Sequence, residues 1–190
     1  MPNSDERNLV EQARNDPQAF AALYDRFVEP VYQYAMRRTR DRLLAEDITS
    51  ATFEKALHHL RKYGWEGKSY RAWLYRIAYQ QIVQHHRRNY RFVPISIDQP
   101  SNSNVEGQVQ TTMQFETIMK ASLNLSQEDQ EVISLRLIEC LSTSEAAEFF
   151  ECSPQNVSVR LYRALKRLRE HLNTLGEYYE EVNHDSRRQK

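Results

Sequence analysis

Apolar and aromatic side chains recur three and four positions apart along most of the chain. Between residues 18 and 40, Phe20, Leu23, Tyr24, Phe27, Val31, Tyr34 and Ala35 form one stripe, the spacing of an amphipathic helix. Asp41 is placed to cap a second helix over about 42–62, with Leu44, Ile48, Phe53, Ala56, Leu57 and Leu60 inward. A break follows, RKYGWEGKSYR, which holds two of the chain's 4 glycines. A third helix is predicted over about 70–90 through Trp73, Leu74, Ile77, Ala78 and Ile82. These three helices make one compact bundle. From Phe92 to about Met113 the periodicity stops, and Pro, Ser, Asn and Gln mark a linker.

A second helical unit starts near Phe115. Ser126 with Asp129, and Ser142 with Glu145, have capping-box spacing, so helices start at both places. Ser153-Pro154 is a third start, with proline at the first helical position. The short segment SEAAEFFECS between the last two starts makes this a short helix, a tight turn and a longer basic helix, the helix-turn-helix arrangement. The expected fold is all-α. Two small helical domains, residues 1–91 and 115–175, are joined by a flexible linker over 92–114. The tail 176–190 shows no clear periodicity and is expected to be a disordered end.

Composition supports few turns and long helices, because only 4 of 190 residues are glycine. No apolar run is long enough to span a bilayer, and the N-terminus lacks the basic flank and apolar stretch of a signal peptide. Cys140 and Cys152 form neither a CxxC pair nor a disulfide framework, which suits a reducing cytoplasm. No phosphate-binding glycine loop, HExxH or nucleophile–base pair is present, so the chain is read as a non-enzyme without a cofactor. His58-His59 and His85-His86 are adjacent pairs pointing about 100° apart on a helix, so neither makes a chelating face and no metal site is expected.

The charges, 26 basic and 26 acidic, are segregated. Residues 68–91 carry Lys68, Arg71, Arg76, Arg87, Arg88 and Arg91 without an acid, and residues 153–172 carry five cations against Glu170. Between them, residues 105–151 are strongly acidic. Two basic islands in separate domains point to two contacts with a polyanion.

A helix-turn-helix lays its second helix in the major groove, where each base pair shows its own donor and acceptor pattern. On the helix from Pro154 to about Leu172, Val157, Leu161, Ala164, Leu165 and Leu168 form the inward stripe. Gln155, Asn156, Ser158, Val159, Arg160 and Arg163 are then left for base edges, and Lys166, Arg167 and Arg169 for the backbone. Glu151 stands where the turn often has glycine. A left-handed backbone there costs about 1–2 kcal/mol, so a different turn conformation is expected.

Two segments together resemble the extracytoplasmic-function (ECF) group of bacterial sigma-70 factors. The first covers about 20–91 and resembles region two, especially Ala45-Glu46-Asp47-Ile48, Thr52-Phe53 and Trp73-Leu74-Tyr75-Arg76-Ile77-Ala78. The second, about 120–172, resembles region four through LSQEDQEVISLRL and SEAAEFFECSPQNVSVRLYRALKRLRE. The resemblance implies a specificity subunit that binds core RNA polymerase and directs promoter-specific initiation. The helix near 43–60 would dock on polymerase through Asp47, Thr52 and Phe53, although Phe53 also fits core packing. The −35 element would be read by Gln155, Asn156, Ser158, Val159, Arg160, Arg163, Lys166 and Arg167.

Region two of the family also opens the −10 element, and a melted base can stack on an aromatic ring beside a cation. Trp65, Lys68, Tyr70, Arg71, Arg76, Tyr79, Gln80, Arg87 and Arg88 are the residues the resemblance offers for melting and −10 contact. Trp73, on the apolar stripe, is assigned to the core. The chain departs from the family at Ser50, Ala51, Tyr79-Gln80 and Gln84, which implies altered docking contacts and an unusual −10 preference. An anti-sigma factor gripping both domains is a further partner that the resemblance implies. The rival reading is a conventional helix-turn-helix regulator acting on duplex DNA without polymerase. It explains 120–172 but leaves the basic, aromatic first domain without a purpose.

Overall fold

The computed structural model describes residues 4–63, 69–89, 118 and 120–188, and among these there is no strand. Helix α1 is Ser4–Gln12 and α2 is Pro17–Thr39. Asp16 caps α2 by accepting from the Gln18 amide at 2.9 Å, and Pro17 takes the first helical turn, where its missing donor has no use. Helix α3 is Arg42–Tyr63, and the Asp41 carboxylate accepts from the Leu44 amide at 3.1 Å, the cap expected from sequence. Helix α4 is Tyr70–Asn89.

These helices pack around Leu23, Phe27, Val31, Tyr34, Leu60, Leu74, Ala78 and Ile82, all buried. Each large side chain removed from water stabilises the bundle by about 1.5–3 kcal/mol. Helix α1 was not foreseen. It contributes only Val10 to that core, with Leu9 partly buried against it and Ala13 buried just past its end, too short a stripe for periodicity to announce.

In the second unit, α5 is Gln127–Ile133, capped by Ser126 accepting from the Asp129 amide at 3.1 Å. It runs directly into a π-helical turn, Ser134–Ile138. Helix α6 is Thr143–Phe150 and carries the complete capping box: the Glu145 amide donates to Ser142 Oγ at 3.1 Å, and the Ser142 amide donates to Glu145 Oε2 at 2.7 Å. Helix α7 is Pro154–Arg188, opened by the Asn156 amide donating to Ser153 Oγ at 3.2 Å. It continues well past the end expected near Leu172, so the tail read as a disordered end is helical as far as Arg188.

Glu151 corrects a second expectation. Its φ of 52° and ψ of 45° are left-handed despite the side chain. Ending α6 requires it: with Glu151 turned this way, the Cys152 amide reaches back to the Ala147 carbonyl at 3.0 Å and satisfies a helix-end acceptor.

The two units are not held apart. Leu135, Leu141 and Phe149 belong to the same buried cluster as the first bundle. A smaller cluster, Val132, Ala146, Ala147, Val157 and Ala164, holds the helix-turn-helix together internally. The linker expected over 92–114 lies outside the described residues.

Candidate nucleic-acid interface

The turn between α6 and α7 sets the recognition helix with Val157 and Ala164 buried and Leu161 and Leu168 half-buried. Leu165, expected inward, is 37% exposed, while Ala164 beside it is fully buried. Gln155, Asn156, Ser158, Val159 and Arg163 are exposed on the opposite side. Arg160 is half-buried. Its guanidinium lies 4.9 Å from the Phe150 ring centroid and 3.5 Å from Glu128. Arg167 is held at 2.5 Å by Asp129, and Lys166 lies 3.9 Å from Glu170, one helical turn away. This surface offers amides, a hydroxyl and guanidiniums at the start of a helix, the chemistry that reads base edges and phosphates.

The second basic island behaves differently. Tyr70 is fully buried, its ring 5.6 Å from Phe27 and 5.5 Å from Trp73. It is a core residue here and has no face for a base, which removes it from the −10 set. Burial also pushes its hydroxyl well above the ordinary value of 10.0. Trp73, assigned to the core, is half-buried between Tyr70 and His59. Gln80 is exposed, and Arg71, Arg76 and Tyr79 are half-buried. Trp65 and Lys68, and the side chains of Arg87 and Arg88, lie outside the described residues.

The polymerase-docking set also divides. Asp47 is exposed on α3. Thr52 is buried with its hydroxyl donating to the Ile48 carbonyl at 2.7 Å, and Phe53 packs edge-on against Tyr24 with centroids 4.7 Å apart. Of the three, only Asp47 has an exposed side chain, while Thr52 and Phe53 are part of the core that supports the helix.

What sequence reasoning missed is a charged network between the two units. Glu131 is buried, accepting from Tyr34 Oη at 2.8 Å and from Arg38 Nη2 at 2.5 Å. Glu139, also buried, accepts from Arg37 Nη2 at 2.5 Å and from Tyr75 Oη at 3.0 Å, while Arg71 donates to its backbone carbonyl. At the edge, Arg76 pairs with Glu151 at 2.5 Å. Ser69 donates through its amide to Glu148 at 2.6 Å and through its hydroxyl to Glu145 at 2.9 Å. The Tyr79 ring meets Phe149 at 5.5 Å. Burial raises the Glu131 carboxyl above its ordinary 4.5, opposed by Arg38 and by the Tyr34 hydroxyl. Burial would raise Glu145 as well, but the Ser142 amide and hydroxyl and the Ser69 hydroxyl hold it below 4.5. A signal existed in the sequence: Glu131 and Glu139 flank an apolar stretch, Val132, Ile133, Leu135, Leu137 and Ile138, where a solvated acid has no place.

A Sigma-70 region 2 family model matches residues 23–92, and a Sigma-70, region 4 model matches residues 115–168. RNA polymerase sigma factor YlaC of Bacillus subtilis is 31% identical over 156 residues, covering 79% of this chain and 90% of that protein. The ECF RNA polymerase sigma factor SigL of Mycobacterium tuberculosis is 31% identical over 159 residues, covering 82% and 89% respectively. The chain belongs to the ECF sigma-70 factors.

This sigma factor is also 28% identical over 166 residues to the ECF sigma factor BldN of Streptomyces coelicolor, of which it spans 63% of the length. Its fold is similar to that of CnrH, solved with the cytosolic domain of CnrY, at a TM-score of 0.63 and 24% identity over 88% of this chain and 97% of that one. The sigma factor RpoE of Bartonella quintana, solved with the anti-sigma factor NepR, gives a TM-score of 0.58 at 22% identity over 81% and 96%. Among the described residues, no helix is long and apolar enough to cross a membrane.

Proposed function

We propose that this sigma factor binds core RNA polymerase and directs promoter-specific initiation, acting as a polymerase subunit and not as an enzyme in its own right. The observation that carries this reading is the pair of matched regions, 23–92 and 115–168, in one chain and in that order. A helix-turn-helix regulator needs only the second.

In this reading the N-terminal face of α7 enters the major groove of the −35 element. Gln155, Asn156 and Arg163 meet base edges, Ser158 and Val159 fill the groove wall, and Lys166 and Arg167 meet phosphates. Arg160 takes part after leaving Glu128. Arg71, Arg76, Tyr79 and Gln80 of α4, with Arg87, Arg88, Trp65 and Lys68, meet the −10 element as it melts. Asp47 leads the contact with polymerase. The site of action is the cytoplasm, where polymerase and promoter DNA meet. An anti-sigma factor fits as a regulatory partner, since CnrH and RpoE were each solved with a protein bound.

The test is co-purification with core polymerase followed by transcription on a library of the native genome. Binding with discrete start sites supports the reading. A chain that neither binds core polymerase nor starts transcription anywhere overturns it.

A further inference from the structure

The acidic block between the two basic islands has a purpose in the closed molecule. Its glutamates meet the cations of the first domain one against another: Glu131 with Arg38, Glu139 with Arg37, and Glu151 with Arg76. Arg71 and Arg76 also belong to the α4 face assigned to promoter DNA, and Tyr79 on that face is covered by Phe149. The same α4 surface cannot hold a nucleic acid and the α6 end of the second domain at once. We propose that the second domain masks the strand-binding face of the first: the Glu139 carbonyl holds Arg71, the Glu151 carboxylate holds Arg76 and Phe149 covers Tyr79, while the Glu131 and Glu139 carboxylates fasten the domain to Arg38 and Arg37 of α2 beside that face.

The construction is that of a latch and not of a permanent core. All four carboxylate oxygens of Glu131 and Glu139 accept a hydrogen bond from the first domain. Yet Arg38 Nε, buried in that network, has no hydrogen-bond partner. A buried polar network left partly unsatisfied gains less than an apolar interface of the same shape, so it separates more readily. The apolar share at the join is small, with Leu135, Leu141 and Phe149 as the fully buried side chains from the second domain's side. A face hidden in about nine molecules of ten binds its ligand about tenfold more weakly than its intrinsic affinity. Release of the latch by a partner that prefers the separated domains then doubles as activation.

This inference rests on the DNA-binding assignment of α4, but its test does not need polymerase. The full chain, E131Q/E139Q and E151Q would be compared by small-angle X-ray scattering and by anisotropy with a fluorescein-labelled oligodeoxythymidine strand. Glutamine keeps the shape of glutamate while removing the charge that holds the arginines. The double variant should expand and bind the strand about tenfold more tightly. E151Q, altered on the exposed edge, should stay compact and gain about twofold, since a solvated pair contributes little. A double variant that stays compact, or expands without gaining affinity, overturns the masking. Should circular dichroism show that the double variant has lost its helices, E151Q decides alone, and no gain in strand binding overturns the proposal. Failure to bind core polymerase would sink the proposed function and leave these readings intact.

Discussion

The two basic islands of this sigma factor have the same kind of sequence and opposite situations. On α7, Gln155, Asn156, Ser158, Val159 and Arg163 stand in solvent. On α4, Arg71, Arg76 and Tyr79 are each met by a residue of the second domain. A run of cations therefore says that a surface suits a polyanion, and says nothing of whether that surface is free. What separates the islands is the acids in between. Those facing the first domain, Glu131 and Glu139, are buried and fully engaged, whereas Glu128, beside the recognition helix, lies 71% exposed at 3.5 Å from Arg160.

The largest effect should come from breaking the buried side of this contrast. Glu131→Ala leaves Arg38 without its carboxylate in a site where its side chain is only 3% exposed. Removing one partner of a buried pair costs about 3–5 kcal/mol, while removing an exposed one costs about 0–1 kcal/mol. Urea denaturation of Glu131→Ala and Glu128→Ala side by side should show that gap. Equal losses would mean that the interface between the domains is as solvated as the face of α7.

On the open island, Arg163→Ala should weaken duplex binding by about 1–3 kcal/mol and relax sequence preference. Lys166→Ala should weaken binding on every sequence and lower the salt slope by about one. Arg160→Ala is expected to behave less cleanly, because its guanidinium also lies over Phe150 and its loss perturbs the turn. Titrations on preferred and scrambled duplexes at two salt concentrations separate these cases. A uniform loss for Arg163→Ala would move the base-reading face elsewhere on α7.

Local rules carried much of this fold. The caps at Asp41, Ser126, Ser142 and Ser153 were each legible from one polar residue and its distance to the next apolar run. The stripes of α2, α3 and α4 were legible because each bundle helix buries one continuous face. The misses are residues whose role depends on a distant partner. Tyr70 read as an accessible ring because it follows a glycine-bearing loop, yet Phe27, far away in sequence, receives it. Thr52 read as a docking residue because the motif contains it, yet its hydroxyl is turned back onto the Ile48 carbonyl; Phe53, already placed on the inward stripe, is buried as that stripe implied. Glu131 pairs with Arg38, 93 positions away, and no periodicity measures that separation.

The smallest effect is at Glu151, which belongs to both sides of the comparison. It turns the corner between α6 and α7 with φ at 52°, and it reaches across to Arg76. Two substitutions separate these duties. Glu151→Gln keeps the strained backbone and removes the ion pair, whose glutamate is 67% exposed, so stability should change little. Glu151→Gly removes the same pair but also relieves the left-handed conformation, which costs a residue with a Cβ about 1–2 kcal/mol. Part of that gain is returned, because glycine loses more chain entropy on folding, leaving about 1 kcal/mol in favour of glycine. For a chain of this length that is about 2–4 °C in melting temperature. The glycine variant should therefore melt above the glutamine variant by that margin, while both lose the contact to Arg76. If glycine melts no higher than glutamine, the left-handed turn at 151 holds no strain for glycine to relieve, and the corner between α6 and α7 accepts a side chain at no cost.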